Sequence, residues 1–280
     1  MRLDDAALSR LREAVSEPDL SGTRYQLLSV AGRGGMGTVY VAEDAALSRR
    51  VALKVLESSD ALLRREAQVL AGLEHPGIVP VHDSGVLPDG RAWYAMKLVQ
   101  GERLDEALLR PLGLSERLRI FLRICETVAF AHARGVLHRD LKPQNIMIGS
   151  FGEVLVLDWG LARLTGDKDS ARVGTPGFAA PEADADDVYS LGAILGCMKP
   201  LPFVVEAIAF KATAVRDARY RTVLELASDV SRFLEGAAVS AVPEGVWRKT
   251  SRWILRHRVA AGTVVAYLAG RGLIFFFTGR

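Results

Sequence analysis

The chain has 280 residues, of which 49% are hydrophobic and 25% charged, with a formal net charge of +3. That composition excludes a disordered chain, and so small a charge gives no electrostatic reason to expect nucleic acid as a partner. Cys125 and Cys197 are isolated in apolar helical patterns, which argues against a disulfide or zinc framework and for buried thiols in a reducing compartment.

Residues 1–24 carry Leu8, Leu11 and Val15 at helical spacing, and Pro18 ends that pattern. They read as a short amphipathic extension. No apolar run follows basic residues there, so no secretory signal is expected. From Tyr25 the pattern becomes extended. Tyr25 to Val30 reads as a strand, Gly32, Gly34, Gly35 and Gly37 follow, and Val39 and Tyr40 open a second strand. Glycines let a backbone pass close to phosphates with its N–H groups facing the anion. In dinucleotide-binding folds such a string opens a helix. Here Thr38 to Val41 favour a strand, so a glycine-rich hairpin is expected, either cradling phosphate or simply turning tightly.

Val51 to Leu56 reads as an apolar strand interrupted by Lys54. A lysine there costs desolvation unless an anion partners it. The helix expected at 60–73 carries Glu66 beside Arg64 and Arg65, so Glu66 is either that partner or part of a solvated face. Lys54 itself is either a phosphate ligand or an edge-strand lysine that discourages aggregation. Ile78 to His82 and Trp93 to Leu98 are further strands, with a turn at Pro88-Asp89-Gly90 between them. Gly101 marks a break, after which the pattern is mainly helical. A β-rich half joined to an α-rich half predicts a cleft between them.

After the helical run Ile120 to Ala133 comes His138-Arg-Asp-Leu-Lys-Pro-Gln-Asn145, and then a short strand at Ile146 to Ile148. His132 reads as a packed, hydrogen-bonded helix residue. Asp140 can take a hydroxyl proton, Lys142 is a mobile charge suited to phosphate, and Asn145 offers an oxygen suited to Mg²⁺. An acid, a cation and a metal ligand within one turn are parts for phosphoryl transfer. Val154 to Leu157 is another strand, ending in Asp158-Trp159-Gly160. Gly174-Thr175-Pro176 and Ala180-Pro181-Glu182 follow, and Asp187 opens an apolar helix to about Met198.

Taken in order and with their spacing, these residues resemble the eukaryotic-like serine/threonine protein kinases, particularly the bacterial branch, over about Tyr25 to Glu235. The resemblance implies an α+β, two-lobed protein kinase fold with a β-rich N-lobe at 25–98 and a helical C-lobe at 99–236. It implies ATP and Mg²⁺ as cofactors, proteins bearing serine or threonine as substrates, and a second kinase copy as a candidate partner. Gly32, Gly34, Gly37, Val39 and Ala52 would surround the nucleotide. Lys54, positioned by Glu66, would bind its α- and β-phosphates. Met96 matches the gatekeeper, and Lys97 to Val99 match the hinge that meets adenine. Asp140 would be the catalytic base and Lys142 would steady the γ-phosphate, while Asn145 and Asp158 would hold Mg²⁺. Thr175 would bridge to the peptide-accepting segment, Glu182 and Arg219 would form a buried pair, and Asp187 would anchor the catalytic loop. Arg139 would meet a phosphate placed by autophosphorylation on Thr165 or Ser170.

The sequence departs from the family in several places. Trp159 stands in Asp-Trp-Gly where phenylalanine is usual, and it can fill the same internal slot. Lys97 stands where an acid is common. Only Ala183 to Asp186 separate Ala-Pro-Glu from Asp187, and a helical segment of the lower lobe is shortened after Met198. These losses leave a nucleotide-binding pseudokinase, or degraded paralogue, as the alternative function.

Residues 237–258 form a basic linker that includes Arg248, Lys249, Arg252, Arg256 and Arg258. Residues 259–278 are apolar over nearly the length of about 20 residues that spans a bilayer. Basic residues before that run fit a cytoplasmic kinase anchored to the inner membrane by a C-terminal hydrophobic helix. Arg271 within the run adds roughly 2.5–3.5 kcal/mol if central, which keeps an interfacial or partner-packed helix as the other reading.

Overall fold

Alternating apolar residues build the first half of the molecule as one antiparallel sheet. The computed structural model describes residues 17–34, 37–56, 70, 72–159, 162–164, 174–182 and 186–242. Strands β1 (Tyr25–Gly34), β2 (Gly37–Asp44), β3 (Arg49–Leu56), β4 (Val81–Val86) and β5 (Ala92–Lys97) lie in the order β1-β2-β3-β5-β4. Successive strand residues face opposite sides. Val51, Leu53 and Val55 therefore join Tyr40, Ala42, Trp93 and Ala95 in a core on one face, leaving Ala52 and Lys54 for the other. β3 is central, so Lys54 is not an edge-strand guard.

Three expectations need correction here. The strand expected at Ile78 to His82 begins at Val81. Pro80 has no N–H to give a ladder and serves as an acceptor for Lys97 N, while Ile78 makes an isolated parallel bridge to Val156. Gly101 does not break the chain but opens strand β6 (Gly101–Arg103), paired with Ile148 and its neighbours. A Cβ at Gly101 would sit 2.1 Å from the Ile148 carbonyl oxygen, so glycine permits that approach. Cys125 is buried as expected, and its thiol is pushed well up by burial, but Cys197 is exposed at the end of its helix.

The second half is helical: α1 (Leu104–Ala107), α2 (Leu114–Ala133), α3 (Asp187–Cys197), α4 (Phe203–Ala212) and α5 (Val223–Leu234). Short strands β7 (Val136–Leu137), β8 (Ile146–Gly149), β9 (Val154–Val156) and β10 (Arg163–Leu164) carry the loops between them. Helix α2 is the spine of this half. It buries Leu118, Phe121, Ile124, Cys125 and Val128 against α5 and β9. The side chain of Asp186 caps α3 by accepting from Val188 N at 2.8 Å, and Thr222 caps α5 through Glu225 N at 3.2 Å. The main core is continuous from this half to Tyr94, Ile78 and Leu73 of the sheet half.

Most of the helix expected at 60–73, with Glu66, lies outside the described residues. So do Gly35, Gly160, Thr165, Ser170, residues 1–16 and the whole of 243–280. Among the described residues no helix is long and apolar enough to cross a membrane.

Helix α3 contains a matched pair of glycines that isolates the packing against α4. A Cβ on Gly192 would lie 2.6 Å from Ala212 Cβ, whereas one on Gly196 meets nothing within 4 Å. Gly192→Ala should therefore lower stability by about 1–3 kcal/mol through overpacking. Gly196→Ala should be neutral or raise it by about 0.5–1 kcal/mol through helix propensity. Urea unfolding of the two variants checks the opposite signs.

Candidate active site

The sheet gathers the first set of predicted residues by register alone. Val39 pairs with Gly32 and Lys54, Ala52 pairs with Val41 and Met96, and Lys54 also pairs with Tyr94. Residues opposite one another in a ladder share a face. Val39, Ala52, Lys54 and Met96 thus line the sheet face turned away from the upper core. The glycines belong to a β1–β2 hairpin, with Gly34 opposite Gly37, rather than to a helix N-terminus. A Cβ on Gly32 would meet nothing within 4 Å, so the space beside this strand is open. Beyond β5 the chain passes through exposed Lys97 and half-buried Val99 to the second half, and Lys97 Nζ lies 3.9 Å from Glu153.

The loop from His138 to Asn145 is held from beneath by one carboxylate. Asp187, 2% exposed at the start of α3, accepts from His138 N at 2.8 Å, from Arg139 N at 2.8 Å and from His132 Nε2 at 2.8 Å. Burial works against its charge. The His132 imidazole, the nearby His138 and the loop N–H outweigh burial and hold the carboxyl below the usual carboxylate range. Arg139 has φ +71°, a region costly for a residue with a side chain, and such strain persists only where surrounding bonds over-determine it. His138 completes the anchoring. Its Nδ1 accepts from Asp140 N at 3.3 Å, so Nε2 carries the proton donated to Leu157 O at 2.9 Å.

Above this anchor, three side chains converge on Asp140. Lys142 Nζ donates to Asp140 Oδ2 at 2.7 Å and to Thr175 Oγ1 at 2.8 Å. The Thr175 hydroxyl donates to Asp140 Oδ1 at 2.6 Å, and Thr175 N adds a bond at 3.1 Å. Asn145 Nδ2 donates to Asp140 O at 2.8 Å and to Oδ2 at 3.3 Å. Asp140 and Asn145 are both buried. The structure therefore brings Asp140, Lys142, Asn145 and Thr175 into one cluster, although Thr175 lies 35 residues from Asp140 in the chain.

Lys54 reaches from the sheet half to the helical half. Its Nζ donates to Asp158 Oδ1 at 2.7 Å, so the sheet half and the helical half meet through this ion pair. Burial opposes the charge on Asp158. Lys54, by charge and by hydrogen bond, with His138 and Lys142 behind it, holds the carboxyl below the usual range. Asp158 also has φ +58°. Next to it, Trp159 is 1% exposed, tilted against His138 at 4.6 Å between ring centroids, with its indole N–H on Val156 O at 3.2 Å. The larger ring is thus housed and satisfied.

The residues present fit a hard divalent cation. Asn145 engages its amide nitrogen with Asp140, which leaves Oδ1 without a hydrogen bond among the described residues. Asp158 Oδ2 is likewise outside the Lys54 bond and belongs to a charged carboxylate. One amide oxygen and one carboxylate, with no preformed cage, is the donor set Mg²⁺ takes when phosphate oxygens and water complete its shell. Among the described residues no cluster of three or more His, Cys, Asp or Glu could hold a metal by itself.

The predicted Glu182–Arg219 pair is present but differently built. Arg219 is buried, whereas Glu182 is one-third exposed and meets it at 3.2 Å. A second acid, Asp186, takes Arg219 Nη1, and the Ala214 carbonyl accepts two further N–H groups at 3.0 and 2.8 Å. Sequence reasoning missed Asp186. Its signal was an Asp-Asp pair at the start of an apolar helix, in which the first residue caps and the second anchors. Glu66, Thr165 and Ser170 lie outside the described residues.

Comparison with known proteins agrees with this geometry. The protein kinase domain family matches residues 25–232. The serine/threonine-protein kinase PknD of Chlamydia trachomatis serovar D is 40% identical over 234 residues, which cover 64% of this chain and 25% of the relative. PknD of Chlamydia felis is 34% identical over 293 residues, covering 76% and 31%, and that of Chlamydia pneumoniae is 31% identical over 319 residues, covering 84% and 34%. The chain spans about a quarter to a third of the length of these curated relatives. An alignment of 234 positions is longer than 64% of 280 residues, so it includes positions where this chain has no residue.

The lowered pKa of Asp187 fixes a pH dependence. A carboxyl whose folded-state value is depressed adds stability above its unfolded value, near pH 4, and loses that contribution as pH falls through the folded value. Asp187→Asn should therefore destabilise the protein at pH 7, and its deficit relative to the parent should shrink below about pH 4. Urea midpoints of both proteins between pH 7 and pH 2.5 check this.

Proposed function

The chain belongs to the protein kinase family, and on that premise we propose that it transfers the γ-phosphate of ATP to serine or threonine hydroxyls of proteins. The observation that carries the reading is the Thr175 hydroxyl donating to Asp140 Oδ1 while Lys142 bridges both groups. A threonine hydroxyl already sits on the acceptor that a substrate hydroxyl would need. In the transfer, Asp140 accepts the hydroxyl proton as the substrate oxygen bonds to the γ-phosphorus and the bond to the departing ADP oxygen breaks. Lys142 lies where it can neutralise charge gathering on the transferred group, and Lys54 serves the α- and β-phosphates beneath the Gly32–Gly34–Gly37 hairpin. Val39, Ala52 and Met96 offer the base an apolar face, and the backbone from Lys97 to Val99 offers it hydrogen bonds.

Asn145 and Asp158 would hold Mg²⁺, which when bound draws charge from phosphate oxygens. Glu66 as the partner of Lys54, and Thr165 or Ser170 as autophosphorylation sites whose phosphate would meet Arg139, belong to the same reading. So do pairing with a second kinase copy and tethering of a cytoplasmic kinase to the membrane through residues 259–278. The basic linker before an apolar run supports the tether. A nucleotide-binding pseudokinase is not favoured, because Lys54, Asp140, Lys142, Asn145 and Asp158 are all present around one cleft.

With Mg²⁺ and γ-labelled ATP, the full chain should label itself and a generic basic protein. Asp140→Asn should cut the rate by about 10²–10⁴-fold while ATP binding persists. Labelling that is unchanged in this variant, or absent in the parent, would overturn the assignment.

A further inference from the structure

Helix α4 is apolar apart from Glu206 and Lys211. Val205, Ile208, Ala209 and Ala212 are buried against its neighbours. On the opposite face Phe203 and Phe210 are 69% and 76% exposed, with Ala207 between them at helical spacing. The chain runs directly from the end of α3 through Met198 to Pro202 into this helix, so no described element lies over that face. Two phenylalanines left in water on one helix face mark a contact surface.

The way the chain leaves the lobe selects the occupant. Asp229 of α5, 2% exposed, clamps the departing backbone. It accepts from Ser240 N at 2.8 Å, Ser240 Oγ at 2.7 Å, Ala241 N at 3.0 Å and Tyr220 OH at 2.8 Å. Lys211, the neighbour of Phe210, donates to Ser240 Oγ at 2.9 Å. The chain therefore exits at Val242 alongside α4. Trp247 follows five residues later, within a reach of about 17 Å. Trp247 and Ile254 are seven residues apart, the interval that separates Phe203 from Phe210. Charge agrees as well: the linker carries Arg248, Lys249 and Arg252, and Glu206 is exposed on the receiving helix.

We propose that the chain's own linker, residues 243–258, docks on the Phe203–Phe210 face of α4 through Trp247 and Ile254. This fixes the lower lobe relative to whatever follows the linker. It requires neither catalysis nor a membrane-spanning segment at 259–278.

The test uses the full chain in phosphatidylethanolamine–phosphatidylglycerol vesicles, with a photo-reactive benzoylphenylalanine in place of Phe210. Isotope-labelled and unlabelled copies are mixed so that links within and between chains are distinguished. Cross-links to residues 243–258 of the same chain are expected, falling at least about fivefold in Trp247→Ser/Ile254→Ser. Cross-links to a second copy, to lipid or to other surfaces, or no cross-link at all, overturn the proposal. In the otherwise native chain, Phe203→Ser/Phe210→Ser should speed tryptic cleavage at Arg248 and Lys249 by about fivefold or more. An unchanged rate also overturns it.

Discussion

The buried carboxylate of Asp187 is the constraint on which the site depends. It takes two consecutive backbone N–H groups of the His138–Asn145 turn and the imidazole of α2 at once, and so joins helix α3, helix α2 and the turn. Burying a charge is costly unless it is fully hydrogen-bonded, and here three donors meet that demand. The bonds in turn hold Arg139 at a backbone angle it would not adopt alone. With Arg139 fixed, Asp140 is presented at the cleft and His138 is turned toward Leu157. The turn is therefore shaped by the lobe's core rather than by its own local preferences.

A second polar contact links the two halves. Lys54 sits in the middle of a five-stranded sheet, where nothing apolar could offset its charge. Asp158 answers it from the other half, and its own charged form is maintained by the same lysine. Each ion lowers the cost of burying the other. Beside them Trp159 fills the interior with an aromatic group whose one polar atom is bonded. Lys54 and Asp158 thus face each other as a charged pair at the junction of the two halves.

The lower half is compact for a reason visible at α3 and α4. Gly192 lets the two helices approach until a methyl group would clash with Ala212, and the short Met198 to Pro202 connection leaves little room for anything between them. Arg219, buried under Glu182 and Asp186 and bonded to Ala214, ties the segment before α3 to the turn before α5. The lobe is closed by polar bonds at that point. The apolar face of α4 is what such economy leaves uncovered.

Much of this was legible in the chain itself. Period-2 alternation predicted the strands, glycine spacing followed by strand-forming residues predicted a hairpin, and local motif chemistry singled out Asp140, Lys142, Asn145 and Asp158. Those signals are local, because a strand's alternation or a turn's acid, cation and amide lie within a few residues. Local pattern could not show partnership over distance, and only the family resemblance implied the bridging of Thr175, the anchoring by Asp187 and the Glu182–Arg219 pair. Asp186 as the second anion of Arg219, Gly101 as a strand opening rather than a break, and Cys197 as an exposed thiol each depend on what lies opposite in space. Residue types and their order determined which chemistry was available. Only the tertiary structure decided which groups share it, because burial and hydrogen-bond geometry are set by segments distant in sequence that fold against each other.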